Sequence, residues 1–228
     1  MIFKFRYLKD SWAKVTMLLS LFYLLHSTTV KSQETSFGVK AGLNYSSIVG
    51  DLTEGIKFRF SGLGGVFIES KLSSKFALQT EVLYSSQGFQ FSSDLLAIEN
   101  NGGTFDENDF RTNVQLNYLA VPVLAKFALS GRSAVVFGPQ FGFLLNQVTK
   151  IKNLDERDTT EIPENRTDIP GNFQLDYGVV AALDFEISDT LSIEPRFYLG
   201  LRNRLNDASG QLQNYNVAIQ VSASYLLF

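Results

Sequence analysis

The chain contains no cysteine, one histidine (His26) and one tryptophan (Trp12) among its 228 residues. The absence of cysteine excludes disulfide bonds, thiol catalysis and cysteine-ligated metal centres. Long apolar runs are missing as well. The longest, Val15–Leu25, has eleven residues, whereas a helix needs about 20 apolar residues to cross a bilayer. Stability must therefore come from packing and backbone hydrogen bonds, and no helical membrane span is expected.

The first 32 residues have the organisation of a secretory signal peptide. Val30 and Ser32 occupy the −3 and −1 positions of a cleavage site before Gln33. The basic residues that precede the apolar run are Lys4, Arg6, Lys9 and Lys14. We therefore predict a signal peptide over residues 1–32 and one mature domain over residues 33–228. An uncleaved helical anchor is the alternative, and the short apolar core argues against it.

Removal of this leader changes the composition of the mature chain. The whole chain has 20 basic and 23 acidic residues, and the leader holds five of the former and one of the latter. The mature chain then carries 15 basic and 22 acidic residues, a net charge of −7, and it has no histidine. The acidic balance argues against a nucleic-acid partner. Without histidine or cysteine, Ser-His hydrolysis and the common metal sites are excluded, so we expect no cofactor.

Apolar and polar residues alternate regularly through Leu175–Ile187, which reads LDYGVVAALDFEI. Its odd-numbered positions are all apolar or aromatic, and its even-numbered positions include Asp176, Asp184 and Glu186. Because successive side chains of a strand point to opposite faces, a strand would have one apolar face and one acidic face. A helix would scatter the same apolar residues around its axis. The segment therefore predicts a strand, and it is long enough to cross a bilayer when tilted.

Seven further segments alternate in the same way, beginning near Phe37, Phe58, Phe76, Leu119, Val135, Leu191 and Tyr215. None of the positions assigned to the apolar faces is charged, which is expected where a lipid-facing charge costs about 2–4 kcal/mol. Short turns alternate with four predicted long loops, Ser46–Lys57, Ser92–Arg111, Lys150–Gly171 and Asn203–Gly210. This order is typical of outer-membrane barrels. We predict an all-β fold, an eight-stranded antiparallel up-and-down transmembrane β-barrel.

The opposite faces of these strands carry charges of both signs. An eight-stranded barrel is only wide enough for side chains to fill its interior, so isolated charges there would be costly. Interdigitated ion pairs can satisfy one another, and we expect a plugged lumen rather than an open pore. The predicted lumen charge network consists of Lys40, Arg59, Glu69, Glu81, Lys126, Asp176, Asp184, Glu186, Glu194, Arg196 and Arg202.

The predicted strands have two further features, prolines inside them and aromatic residues near their ends. Pro122, Pro139 and Pro195 lie inside predicted strands, where each removes a backbone donor. We expect them to mark unpaired positions or bulges beyond which the register shifts by one residue. Aromatic residues near the strand ends, Phe89 and Phe91 among them, are predicted to form girdles at the two membrane interfaces.

Several longer motifs carry a resemblance to a known family. They are GVKAGLN (Gly38–Asn44), LQTEVLYSSQG (Leu78–Gly88), LNYLAVPVLAKF (Leu116–Phe127), GPQFG (Gly138–Gly142), DYGV (Asp176–Val179) and the terminal Phe228. In these motifs the mature chain resembles the PorT-like outer-membrane β-barrel family of Gram-negative bacteria. The resemblance implies an outer-membrane location, contact with membrane lipid and lipopolysaccharide, and a role in protein export. No residue of this chain can be matched to that role.

The remaining candidate chemistry is a pair of carboxylates. Asp184 and Glu186, two residues apart on one strand face, could act as an acid and base pair. The alternative is that both are lumen acids neutralised by Arg196, Arg202 or Lys126, and this is the favoured interpretation. We therefore predict that the protein is not an enzyme.

These observations predict an outer-membrane barrel with a structural or accessory role, serving secretion or envelope assembly through a protein partner. A narrow pore for ions or small solutes is one alternative. A surface receptor or adhesin acting through Ser92–Arg111 and Lys150–Gly171 is another. A soluble calyx of the lipocalin kind would need its apolar face inward and its charges outward, the inverse of the predicted arrangement.

Overall fold

A computed structural model of the chain describes residues 34–51, 53–92, 110–153, 166–204 and 212–227. The predicted signal peptide over residues 1–32 lies outside the described residues, as does most of the predicted loop Ser92–Arg111. No helix within the described ranges is long and apolar enough to cross a membrane.

Eight antiparallel strands make up the described chain. They are β1 (Thr35–Gly50), β2 (Ile56–Lys71), β3 (Phe76–Ser92), β4 (Phe110–Ser130), β5 (Ser133–Asn153), β6 (Arg166–Glu186), β7 (Leu191–Gly200) and β8 (Asn214–Leu226). Each strand pairs with its neighbours in sequence, and β8 returns to pair with β1, which closes the sheet into a barrel. The predicted fold class is confirmed.

The two faces of the barrel wall differ as the alternation predicts. In β6, the side chains of Leu183 and Phe185 are exposed on the outside, whereas Asp184 between them is only 2% exposed. The same rule holds in β8, where Ile219 and Val221 are exposed and Gln220 is buried. A closed sheet with an apolar exterior and buried polar residues excludes the calyx arrangement.

The three strand prolines interrupt the hydrogen-bonded ladders without shifting them. The ladder between β4 and β5 has a gap at Pro139 and the same register on both sides, since Pro122 pairs with Gln140 and Ala125 with Phe137. The ladder between β3 and β4 has its gap at Pro122, and there too the register is unchanged. The ladder between β6 and β7 likewise has a gap at Pro195 and keeps its register, since Ala182 pairs with Arg196 and Phe185 with Ile193. The expectation of unpaired positions is correct, and the expected slip by one residue at these sites is not found.

The strands β5 and β6 extend further than the sequence predicts. The prediction of a loop over Lys150–Gly171 is wrong at both ends, because β5 runs to Asn153 and Lys150 pairs with Arg166. Polar residues occupy both faces of this part of the hairpin, as Thr149 and Lys150 do in β5, so it lacks the regular alternation of the lipid-facing segments. Asn172 and Phe173 have φ values of 49° and 52°, left-handed conformations that accompany a register shift in the same ladder.

Aromatic side chains cluster on the outer face at both ends of the barrel. Tyr45 stacks on Phe58 at 4.7 Å and on Phe60 at 4.5 Å between ring centroids, near the end that carries the longer connections. Phe127 lies 4.8 Å from Phe76 and 5.8 Å from Phe137 near the opposite end. Two such clusters are consistent with aromatic girdles at two interfaces.

Candidate functional site

The interior of the barrel is the candidate functional site, because all eleven predicted lumen residues lie on or at the rim of its inner wall. Nine have buried or mostly buried side chains, and Glu186 and Arg202 lie at opposite rims. We call the rim with the turns 72–75, 131–132 and 187–190 the short-turn end, and the rim with the other connections the long-loop end.

Four of these residues form one ionic group inside the barrel, which we call the inner quartet. They are Lys40 from β1, Glu81 from β3, and Glu194 and Arg196 from β7. Lys40 Nζ lies 2.6 Å from Glu81 Oε1 and 3.3 Å from Glu194 Oε1. Arg196 Nη2 donates to Glu81 Oε1 at 2.8 Å, and Arg196 Nε donates to Glu194 Oε1 at 2.7 Å. Each cation therefore contacts both carboxylates.

The inner quartet is neutral and completely enclosed. The side chains of Lys40, Glu81 and Glu194 are 0% exposed and that of Arg196 is 2% exposed. A buried ion is stable only when its partner and further hydrogen bonds replace the water it has lost. Gln79 Nε2 supplies one such bond by donating to Glu81 Oε1 at 2.5 Å. The quartet ties together three strands that are distant in sequence.

A second ionic group surrounds Lys126 at the short-turn end. Its ammonium lies 3.1 Å from Glu69 Oε2, 3.2 Å from Asp184 Oδ1 and 3.9 Å from Glu186 Oε1. Asp184 and Glu186 therefore share one lysine with Glu69, so the predicted neutralisation of these lumen acids is only partial. Their partner is Lys126 and not Arg196 or Arg202. Arg196 belongs to the inner quartet, and Arg202 Nη1 donates to the backbone oxygen of Leu175.

A third polar group lies toward the long-loop end. Asn216 Nδ2 donates to Asp176 Oδ2 at 2.6 Å and to the Tyr118 hydroxyl at 3.2 Å. Arg204 Nη1 donates to Asn216 Oδ1 at 3.0 Å and also reaches Tyr118. Arg59 has only neutral acceptors among the described residues, with Nε donating to Asn113 Oδ1 at 2.7 Å. Toward this end the predicted lumen residues Arg59 and Arg202, together with Arg204, accompany the carboxylate of Asp176.

The interior also contains clusters of buried apolar side chains, which the sequence analysis did not predict for the lumen. One cluster at mid-height consists of Leu124, Val136, Val180, Ala182, Tyr198 and Ala218. A second, nearer the long loops, consists of Val114, Leu116, Tyr118 and Leu144, with Phe89 and Phe91 packed against it. The lumen therefore resembles the packed core of a soluble domain with ionic groups embedded in it.

Two aromatic residues and one arginine were assigned to the wrong place in the sequence analysis. The alternation of inward and outward positions, applied strictly, would have placed all three on the inner face. Phe89 and Phe91 have the same parity in β3 as the inward Glu81, so their assignment to the interfacial girdles is wrong. Arg204 lies in the predicted loop Asn203–Gly210, yet it has the parity of Arg196 and Arg202 and contacts the lumen side chains Tyr118 and Asn216.

The fold and the interior together define a class of protein, the eight-stranded β-barrels of the outer membrane of Gram-negative bacteria. Residues 31–206 match the model of the family described as "Outer membrane protein beta-barrel domain". The chain belongs to this family. No curated protein matches it in sequence.

Several solved structures have a similar fold at low sequence identity. Neisserial surface protein A has 8% identity and a TM-score of 0.45, covering 84% of this chain and 98% of its own. Ail, the attachment invasion locus protein of Yersinia pestis, has 9% identity and a TM-score of 0.45, covering 85% and 99%. The N-terminal barrel domain of Pseudomonas aeruginosa OprF has 10% identity and a TM-score of 0.35, covering 84% and 100%.

Proposed function

We propose that this protein is a non-conducting, non-enzymatic barrel with a structural or accessory role in the outer membrane. In this proposal it contacts membrane lipid and lipopolysaccharide through its outer wall and acts through a protein partner in the envelope. A role in secretion or envelope assembly is the one that the resemblance to PorT-like proteins implies. The lack of histidine and cysteine in the mature chain supports a non-enzymatic role.

The observation that carries the proposal is the enclosure of the inner quartet. Its four charged side chains are at most 2% exposed and contact one another across the bore from β1, β3 and β7. An ion crossing this level would have to displace contacts of 2.6–3.3 Å between fully desolvated charges. Apolar side chains at 0–2% exposure, including Leu124, Val136 and Val180, occupy the neighbouring positions.

Planar-bilayer recording of the purified mature protein tests the closed lumen. We expect no sustained single-channel steps in 1 M KCl, where an ion path would be easiest to detect. An inactive preparation would give the same silence, so a porin reconstituted by the same procedure serves as the control. Stable, reproducible conductance steps that scale with protein concentration would replace this proposal with the narrow pore.

The partner is tested by affinity purification from detergent-solubilised outer membranes. We expect one envelope protein to co-elute in a fixed ratio with the tagged barrel and not with an unrelated eight-stranded barrel carrying the same tag. A barrel that elutes alone after mild crosslinking in intact cells would contradict an accessory role through a partner.

A further inference from the structure

A cavity of about 280 Å³ opens at the short-turn end of the barrel, and we call it the vestibule. The acidic residues that line it are Glu34, Glu69, Asp184, Glu186 and Asp189. Among the described residues, the basic side chains that line it with them are Lys71 and Lys126. Ligand pockets span roughly 300–1,000 Å³, so the vestibule suits a single long side chain or a similarly small group.

At the inner end of the vestibule, negative charges outnumber positive charges. The single ammonium of Lys126 serves Glu69, Asp184 and Glu186, which leaves two negative charges without a counter-charge in this group. The other cations nearby have partners of their own at the rim. Lys71 Nζ lies 3.0 Å from Glu34, and Arg132 Nη2 lies 3.2 Å from Asp189.

An independent observation concerns Asp184. Its side chain is only 3% exposed, and its Oδ1 atom accepts no hydrogen bond from any described residue. The Lys126 ammonium is 3.2 Å away from this oxygen, close enough to be an ion pair but without the geometry of a hydrogen bond. A buried carboxylate oxygen held by an ion pair without a well-aligned hydrogen bond is incompletely satisfied, and this one lies on the wall of the vestibule.

The chemistry of the site selects an organic cation. No group of three or more acidic side chains among the described residues is arranged as a metal site would be. A guanidinium carries five donors in a planar fork that matches two carboxylates, and a primary ammonium carries three. Either could donate to Asp184 Oδ1 while its charge offsets the excess of Glu69 and Glu186.

The side of the membrane indicates where the cation comes from. In outer-membrane barrels the short turns face the periplasm, and the vestibule opens between such turns. We propose that the vestibule binds the arginine or lysine side chain of a basic peptide segment presented by a periplasmic protein. This inference rests on the proposed function only in assuming an envelope partner and this orientation.

Isothermal titration of the refolded mature barrel in detergent micelles tests the site. The probes are acetyl-Gly-Arg-Gly-amide and its citrulline analogue, which has the same shape without the charge. We expect the arginine peptide to bind at least about tenfold more tightly and to weaken as salt rises. Equal binding of both peptides, or no binding of either at millimolar concentration, would overturn the proposal. Agmatine binding more tightly than the peptide would overturn the assignment to a polypeptide.

Matched variants locate the binding. Glu186→Gln, at a half-exposed rim position, should weaken the arginine peptide about fivefold, and Asp184→Asn should weaken it at least about tenfold. Glu54→Gln makes the same chemical change at the opposite end of the barrel and should leave binding unchanged. Lys126→Met removes the competing ammonium and should strengthen binding, which a purely structural role of these residues would not produce. Unchanged affinity in the first two variants, or weaker binding in Lys126→Met, contradicts the assignment.

The two proposals fail separately. If the barrel conducts ions and binds the arginine peptide preferentially, only the proposed closed lumen is refuted. If the barrel shows no conductance but binds the arginine and citrulline peptides equally, only the proposed cation site is refuted. Folding of each variant is checked by the mobility of the unheated protein in gel electrophoresis, so a loss of binding is scored only for folded protein.

Discussion

Removing Lys40 should destabilise the barrel more than removing any exposed lysine. In Lys40→Met, contacts of 2.6 Å to Glu81 and 3.3 Å to Glu194 disappear, and Arg196 alone faces two carboxylates. One net negative charge then remains at a site that is 0% exposed. Breaking a buried ion pair by removing one partner costs about 3–5 kcal/mol. We expect the free energy of unfolding to fall by that amount.

A second substitution should recover most of this loss. Lys40→Met combined with Glu194→Gln restores neutrality and leaves the pair formed by Arg196 and Glu81 intact. Neutral replacement of buried ion pairs is often tolerated, so we expect the double variant to lie within about 2 kcal/mol of the wild type. Lys71→Met is the matched control, because its pair with Glu34 is exposed at 50% and 68% and should contribute at most about 1 kcal/mol.

Urea unfolding of the protein folded into lipid vesicles gives these values. Far-UV circular dichroism is the appropriate signal, since the predicted mature chain has no tryptophan: Trp12 lies in the leader. If Lys40→Met costs no more than Lys71→Met, water reaches the inner quartet and the enclosed-lumen argument is refuted. A double variant that is less stable than the single variant would show that packing at Glu194, and not charge balance, controls stability there.

Two further predictions, each with a matched control variant, concern the two faces of the wall. Val221→Arg, at a 50% exposed outer position of β8, should destabilise the barrel in vesicles by about 2–4 kcal/mol. Leu227→Arg, beyond the end of the same strand, should cost about 0–1 kcal/mol, and equal costs would contradict the assigned membrane span. Leu124→Ala removes a fully buried lumen side chain and should cost about 2–5 kcal/mol in the same urea assay. Leu43→Ala, at a 64% exposed outer position, should cost less than half as much, and similar losses would show that the lumen is not a packed core.

The sequence predicted the parts of the fold where lipid imposes a strict pattern. Leu183 and Phe185 must be apolar because they face hydrocarbon, so their alternation with Asp184 was readable without a structure. Beyond the membrane both faces of a strand meet water, and no such rule applies to Lys150 or Arg166, which pair in the extended hairpin of β5 and β6. The hairpin was therefore missed because water on both faces imposes no alternation of polar and apolar residues, and not because its residues are poor strand formers.

The sequence predicted which charged residues lie in the lumen, but it did not predict which of them form ion pairs with one another. Parity places Lys40, Glu81, Glu194 and Arg196 inside, yet the pairing of Lys40 with Glu81 depends on shear between strands 41 residues apart in sequence. The choice of Lys126 over Arg196 as the partner of Asp184 depends on height along the axis in the same way. The alternation within one strand shows which face a residue is on and carries no information on how far that strand is offset along the barrel axis from another. The bulges near Phe58 and Asn117 change this offset locally as well.

Charge is distributed unevenly along the lumen, from the long-loop end to the short-turn end. The long-loop end has Arg59, Arg202 and Arg204 against Asp176, the inner quartet is neutral, and the short-turn end has three carboxylates around Lys126. If the quartet were a solvated constriction, mobile ions would screen this separation over about 10 Å at 0.1 M salt. In the proposed closed lumen the quartet and the apolar clusters exclude water, so the excess negative charge at the short-turn end has to be offset locally. That requirement makes the vestibule, and not the bore, the position where an external cation gains most by binding.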